Sequence, residues 1–303
     1  MGSFAGGDAD KRKALDLDPL TRAGVLVEAL PYIRRFAGKT VVIKFGGNAM
    51  VDPDLTHRFA ADVVLMHSVG MRPVVVHGGG PQIGELMGRL GLEPEFRDGL
   101  RVTDAETLDV ARMVLAGKVG RELVSAVNVH DRLAVGLSGE DAGLIIAEQR
   151  EPALGFVGDV AQVNPEILLT LLDGGFIPVI STIGSDGAGQ AYNVNADTVA
   201  VAIAASLRAE KLIYLTDVPG VLTDVGDPTT LISHTSAAKL RVLLADGIVT
   251  GGMIPKIEAC LEAVQSSVAS AHILDGRIPH VVLLELLTDA GVGTMVTRAA
   301  EGP

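Results

Sequence analysis

From residue 40 onward the chain alternates between short apolar runs and longer stretches in which apolar positions recur every three or four residues. The runs TVVIKF (40–45), PVVVH (73–77), FIPVIST (176–182), AEKLIYLTD (209–217) and AHILDG (271–276) predict strands buried on both faces. Weaker strand signals lie in RLAVGL, GLIIAE and GFVGDVAQV. The intervening helical stretches carry start and stop chemistry. Asp52-Pro53 opens LTHRFAADVVLMHSVG, Thr103 and Glu106 form a capping-box pair, Asn164-Pro165 opens EILLTLLDGG, and Asn195 or Asp197 can cap ADTVAVAIAASL. Further helical patterns run from Gly80 to Leu90, through SHTSAAKLRVLLADG and through MIPKIEACLEAVQSSVAS. Strand–helix alternation of this period requires crossover connections, so the fold class is α/β with a mainly parallel sheet covered on both faces. Ahead of it, LTRAGVLVEALPYIRRF (20–36) sets Val25, Leu26, Ala29, Leu30 and Ile33 near helical spacing, predicting an extra helix that Pro31 should kink.

Composition narrows this picture. The 303 residues include 36 glycines, no tryptophan and only 3% aromatics, which makes the core aliphatic and the loops glycine-rich. A net charge of −12 leaves no excess of Lys and Arg with which to neutralise a nucleic-acid backbone. The single cysteine, Cys260, excludes an intramolecular disulfide and a cysteine zinc cage, and its apolar surroundings read as those of a buried thiol. No apolar run reaches the roughly 18 residues of a membrane span. Residues 1–18 are small and charged, lack the apolar segment of a signal peptide and read as a disordered arm. The expectation is a cytoplasmic protein without membrane contact.

Glycine clusters end several of the strands: KFGG, HGGG and STIGSDGAG. Neither common nucleotide motif fits them. Gly78 and Gly80 begin a dinucleotide fingerprint, but Ile83 occupies its last glycine position, and AGKT (37–40) supplies only the tail of a P-loop, before its strand instead of after it. Glycines at the carboxyl ends of parallel strands let backbone N–H groups approach an oxyanion closely. Lys44 ends an apolar strand beside Gly46 and Gly47, and Lys256 follows another glycine pair near a helix start. Each position is unfavourable for an unpaired ammonium, so the two lysines invite one shared anionic ligand. His77, before the glycine triplet, reads as a packed strand-end residue.

The ordered set VVIKFGG, HGGGPQI, DGLRVTD, YNVNADT, LTDVPGV and TGGMIPK resembles the amino acid kinase family over residues 22–298, in particular its branch that phosphorylates N-acetyl-L-glutamate. The resemblance implies a three-layer αβα sandwich with an open sheet. By the same likeness residues 19–37 would form an oligomerisation helix, 38–185 a lobe for the acyl amino acid and 186–303 a lobe for the nucleotide. It implies ATP and Mg²⁺, and transfer of the γ-phosphoryl group to the substrate's side-chain carboxylate, the second step of arginine biosynthesis. Lys44 and Lys256 would neutralise the moving phosphoryl group and Asp197 would hold both lysines. Gly79 and Gly80 would present N–H groups, Arg101 would clamp a carboxylate, Asn193 and Asn195 would line the substrate site, and Gly46 and Gly47 would meet the phosphates. No resident metal ligands are implied. The LPYIRRF helix and the C-terminal HILDGRIPHVVLLELLTDAGVGTMV resemble arginine-inhibited, hexameric members, with Tyr32, Lys211, His280, Glu285 and Gly291 at the arginine site. A signalling protein of the PII type is a conceivable partner. Alternatives are a relative acting on aspartate, glutamate, carbamate or a nucleoside monophosphate, and a non-catalytic arginine-binding regulator; two retained lysines argue against the last.

Overall fold

The computed structural model describes residues 18–46, 50, 52–249, 251–289 and 291–298. Gly47 and the arm at residues 1–17, named above, lie outside the described residues. The chain opens with α1 (Pro19–Phe36), capped by Asp18 and running on through Pro31 as one helix. Then come β1 (Thr40–Phe45), α2 (Pro53–Ser68), β2 (Arg72–His77) and α3 (Gly80–Leu90). A short hairpin of β3 (Phe96–Arg97) and β4 (Leu100–Arg101) leads into α4 (Ala105–Arg112), a π-helical stretch at Met113–Val119, and α5 (Gly120–Asn128). The middle of the chain contains β5 (Ala134–Ser138), β6 (Ile145–Gln149), β7 (Val157–Val163), α6 (Glu166–Asp173), β8 (Ile177–Ser181), β9 (Ile183–Ser185) and β10 (Ala191–Val194). It closes with α7 (Ala196–Ser206), β11 (Lys211–Thr216), β12 (His234–Ser236), α8 (Ala237–Ala245), α9 (Ile254–Gln265), β13 (Ser270–Asp275), α10 (Val281–Leu287) and β14 (Thr294–Thr297).

Eight strands form the central sheet in the order β12-β14-β13-β11-β1-β2-β8-β5. All neighbours are parallel except β13 and β14. The first strand has β2 on one side and β11 on the other, so the winding reverses beside β1, and the crevice beyond its carboxyl end is where an open α/β sheet binds its ligand. Strands β6, β7, β9 and β10 close into a small separate barrel beside that edge.

Period-two alternation divides the aliphatic strands between two cores. Val41, Ile43 and Phe45 of β1 join Val75 of β2 and Ile213 of β11 on one face, where Phe45 stacks on Phe59 of α2 with ring centroids 4.2 Å apart. Val42, Val74, Val76, Leu212 and Tyr214 line the other face, under α7 and α9, and Cys260 of α9 is wholly buried there. Lys44 belongs by register to this second face, and its neighbours across the sheet are Val76 and Tyr214. An apolar strand therefore delivers one ammonium to the N-terminus of α7.

Two capping expectations change. Helix α4 is capped by Asp104, whose carboxylate accepts from Thr107 N at 2.8 Å, whereas Thr103 is fully buried one residue earlier. At α6 the N-cap is Pro165, and Asn164 instead donates its amide to Gly143 O at 2.7 Å. At α6 a tertiary partner takes the side chain nearest the helix start, whereas at α4 the cap moves one residue along, to a carboxylate that can reach Thr107 N.

Candidate active site

Beyond the carboxyl ends of β1 and β2 lies a cavity of about 260 Å³, bounded by Lys44, Gly46, the Gly78–Gly80 triplet, Arg101, Asn193 and Asn195. Each side arises from a local necessity. Lys44 Nζ stands 2.9 Å from Asp197 Oδ1, with 15% and 21% of the two side chains exposed. Asp197 occupies the first turn of α7, where the helix dipole favours a carboxylate. Gly46 makes room for the lysine: a Cβ there would lie 2.7 Å from Lys44 Nζ.

The opposite wall is the start of α3. Gly79 is its N-cap and carries no capping side chain, and since Pro81 has no N–H, the uncapped donors at the start of this 11-residue helix are those of Gly80 and Gln82, beside the cavity that the glycines line. A Cβ on Gly79 would come within 2.7 Å of Leu115 Cδ2, so a side chain at residue 79 would push the leucine of the π-helical stretch out of its present place. Arg101 reaches over from the β3–β4 hairpin. Its Nη2 donates to Gly80 O at 3.0 Å, and the guanidinium lies 4.7 Å from the centre of the Phe96 ring. Burial lowers its pKa from the ordinary guanidinium value. Asn193 donates to Thr103 Oγ1 at 3.3 Å, and Asn195 is committed as the α7 cap, accepting from Asp197 N at 2.8 Å.

Lys256 belongs to a different cavity. It lines, with Asp217, Val218, Leu222 and Met253, a second and larger space of about 600 Å³ between the β11 end and the start of α9. Asp197 pairs with Lys44, and among the described residues no ion pair joins it to Lys256. The lysines thus flank the sheet edge from two cavities and are not held by one carboxylate.

Of the residues expected at an arginine site, the structure brings Lys211 and Glu285 together, with His280 at the start of the same helix as Glu285. Lys211 Nζ lies 3.8 Å from Glu285 Oε1, and His272 stands between them, its Nε2 2.9 Å from Lys211 Nζ and its Nδ1 2.9 Å from Glu285 Oε1. An ammonium can only donate, so Nε2 accepts and the ring proton resides on Nδ1, facing the carboxylate. Burial holds His272 neutral, with its pKa lowered to about 4. Burial opposes the charge of Glu285, but His272 and Lys211 together keep its carboxyl below the usual value. His280 is the N-cap of α10, the helix that carries Glu285, and its Nδ1 is 2.5 Å from Asp62 Oδ1. Tyr32 bonds Asp289 from α1, and Gly291 has the left-handed φ of 55°. His272 was missed because AHILDG reads as a plain buried strand; its signal is a lone imidazole at a fully buried strand position.

With this geometry in view, the relatives fall into place. The model of the amino acid kinase family matches residues 39–275, and the chain belongs to that family. It is 54% identical over 293 residues to the acetylglutamate kinase of Symbiobacterium thermophilum, covering 94% of this chain and 100% of that one. It is also 54% identical to the acetylglutamate kinase of Nostoc punctiforme, covering 91% and 93%. Among solved structures, the N-acetylglutamate synthase of Neisseria gonorrhoeae complexed with coenzyme A and N-acetyl-glutamate superposes with a TM-score of 0.81 at 27% identity, over 92% of this chain and 64% of the synthase. The Giardia lamblia carbamate kinase bound to AMP-PNP shares the fold, with a TM-score of 0.64 at 20% identity.

Proposed function

We propose that this chain transfers the γ-phosphoryl group of ATP to the side-chain carboxylate of N-acetyl-L-glutamate, giving N-acetyl-L-glutamyl 5-phosphate in arginine biosynthesis. The observation that carries the reading is the cavity in which Lys44, the bare start of α3 and Arg101 converge, in a chain 54% identical to an acetylglutamate kinase over that enzyme's full length. A carboxylate nucleophile with a reference pKa of about 4.3 is ionised at neutral pH and needs no general base. The work left to the protein is alignment and neutralisation of the phosphoryl oxygens. Arg101 would take the substrate's backbone carboxylate, the Gly79 and Gly80 N–H groups and Lys44 the transferring group, and Asp197 would keep Lys44 in place. The larger cavity, apolar apart from Asp217 and Lys256, suits a nucleotide base with its phosphates turned toward Lys256. Mg²⁺ bound to those phosphates would neutralise part of their charge. Selective ADP release from Mg-ATP with N-acetyl-L-glutamate, compared with glutamate, aspartate and carbamate, tests the reading; equal turnover of a rival would replace it.

We also infer inhibition by L-arginine at a site built from Tyr32, Lys211, His280, Glu285 and Gly291, supported by the Lys211–Glu285 pair, with α1 as the element through which copies assemble into a hexamer. Leu20, Leu26 and Val27 of α1 are 85%, 72% and 68% exposed, apolar side chains without cover in the single chain. Suppression of turnover by arginine, and loss of the hexamer on deleting residues 1–37, are the expected results.

A further inference from the structure

His77 is the last residue of β2, completely buried, and part of neither the ion pair nor the cavity wall. Its side chain lies on the Phe45 face of the sheet, opposite the face of Lys44, because the two residues are register partners of Phe45 and Val76 respectively. There its Nδ1 sits 3.0 Å from Gly78 O. A carbonyl oxygen only accepts, so Nδ1 is the protonated nitrogen and donates. The other nitrogen, Nε2, has no partner, and it lies against the backbone of Gly120, where a Cβ would come within 3.2 Å of it. Burial and the nearby Arg121 charge keep the ring neutral, with a pKa lowered to about 4. A buried imidazole with one nitrogen orphaned is costly. The hydrogen bond it does make falls on the peptide that begins the glycine triplet.

That peptide links Gly78 to Gly79. In a trans peptide the C=O and the following N–H point in opposite directions within one plane, and the chain contains no cis bonds among its described residues. Holding Gly78 O toward the His77 ring therefore turns Gly79 N–H away from it, toward the side that carries Lys44 and the cavity. Neither Gly78 nor Gly79 has a side chain to fix this plane, and Gly79 has an extended φ of 171° in a conformation that a glycine pair could leave by a peptide rotation.

We propose that His77 is a positioning residue for phosphoryl transfer: its Nδ1–H locks the Gly78–Gly79 peptide so that Gly79 N–H is aimed at the transferring group. The proposal rests on the kinase reading given above, which fixes what enters the cavity.

Three substitutions separate this role from packing. In His77→Asn the amide Nδ2 occupies the place of the imidazole Nδ1, two bonds beyond Cβ, and restores the donor. In His77→Gln the amide nitrogen falls one bond further out, near the position of Nε2, and His77→Leu removes the donor while keeping most of the volume. With each variant confirmed folded by its melting curve, His77→Leu and His77→Gln should lose about tenfold to a hundredfold in kcat with KM for N-acetyl-L-glutamate little changed, the loss expected of a group displaced by about 1 Å. His77→Asn should stay within about threefold of the parent. Equal losses in all three, or losses that follow melting temperature and not the donor, would overturn the proposal. Crystal structures of the Leu and Asn variants read the same point without activity. The Gly78 carbonyl should rotate away in the first and hold in the second, and an unrotated carbonyl in His77→Leu would sink the proposal even for an active enzyme. If the parent protein failed to turn over N-acetyl-L-glutamate, the functional reading would fall while the peptide orientations still decided the role of His77.

Discussion

Replacing Lys44 by Met keeps the length and apolar stem of the side chain and removes its charge. The ammonium stands at the cavity edge, 2.9 Å from Asp197 and mostly shielded from solvent. Were a phosphoryl oxygen to sit about 4 Å away, with an effective dielectric of about 20, the ammonium would contribute an attraction on the order of 4 kcal/mol. Only the part that grows as charge moves onto the phosphoryl oxygens accelerates the reaction. A single preorganised donor of this kind is worth about 10²–10³ in kcat, and that is the fall expected for Lys44→Met, with a much smaller change in KM. Stability should fall by about 1–3 kcal/mol, because the largely shielded Asp197 loses its partner, an effect that the field of the α7 N-terminus offsets in part. Initial rates of ADP release, taken beside a thermal melt, measure both quantities. A kcat within tenfold of the parent in a folded protein would refute the electrostatic role, and a collapse of the melt would show Lys44 to be structural instead.

The other predictions touch different walls of the site and the buried histidines. Gly46→Ala places a methyl 2.7 Å from Lys44 Nζ, so the ammonium must shift; kcat should fall by about tenfold with the fold retained, and unchanged rates would mean that the position of Nζ is not critical. Arg101→Lys keeps a charge but loses the planar fork that bonds Gly80 O and covers Phe96; KM for N-acetyl-L-glutamate should rise by about tenfold or more, and an unchanged KM would remove the clamp. His77 and His272 both have folded pKa values of about 4, below the 6.5 of the free side chain, so the unfolded chain binds more protons between those limits. Stability is then complete above about pH 6.5 and declines as pH falls toward 4. Asp62, lifted by burial to about 6 from 3.8, acts the other way, favouring the folded state at low pH and losing that contribution as pH rises through 6. Two histidines against one aspartate leave a net loss on acidification, which denaturant titrations at pH 7 and pH 5 will measure; a more stable protein at pH 5 would contradict the burial of the neutral rings. His77→Asn should reduce that slope.

What the sequence could reveal follows from the range of the forces involved. Strands β1, β2, β8, β11 and β13 were legible because burial on both faces demands an unbroken apolar run, and helices α2, α3 and α7 because their starts are written within a few residues: Asp52 and Pro53, the glycine triplet, Asn195. At α6 a distant group, Gly143 O, took the amide of Asn164, and at α4 the hydroxyl of Thr103 was engaged by Arg101 O two residues away and by the distant Asn193, leaving the cap to Asp104. Such competition has no local signature. The candidate site divides along the same line. Lys44, Gly79, Arg101 and Asn193 could be listed from motifs, yet the separation of Lys256 into its own cavity depends on how β11 and α9 end relative to β1, which spacing along the chain does not encode. The two histidines show the limit most plainly. His280 follows a proline and stands out in the sequence, while His272 sits unmarked inside a strand; but strand register pairs it with Ile213 of β11, and burial leaves its polar atoms only Lys211, Ser270 and Glu285 to meet. A polar residue that interrupts a fully apolar strand costs free energy unless it is satisfied, so in this fold Lys44, His77 and His272 are the interruptions whose partners locate the cavity, its glycine peptide and the cluster under α10.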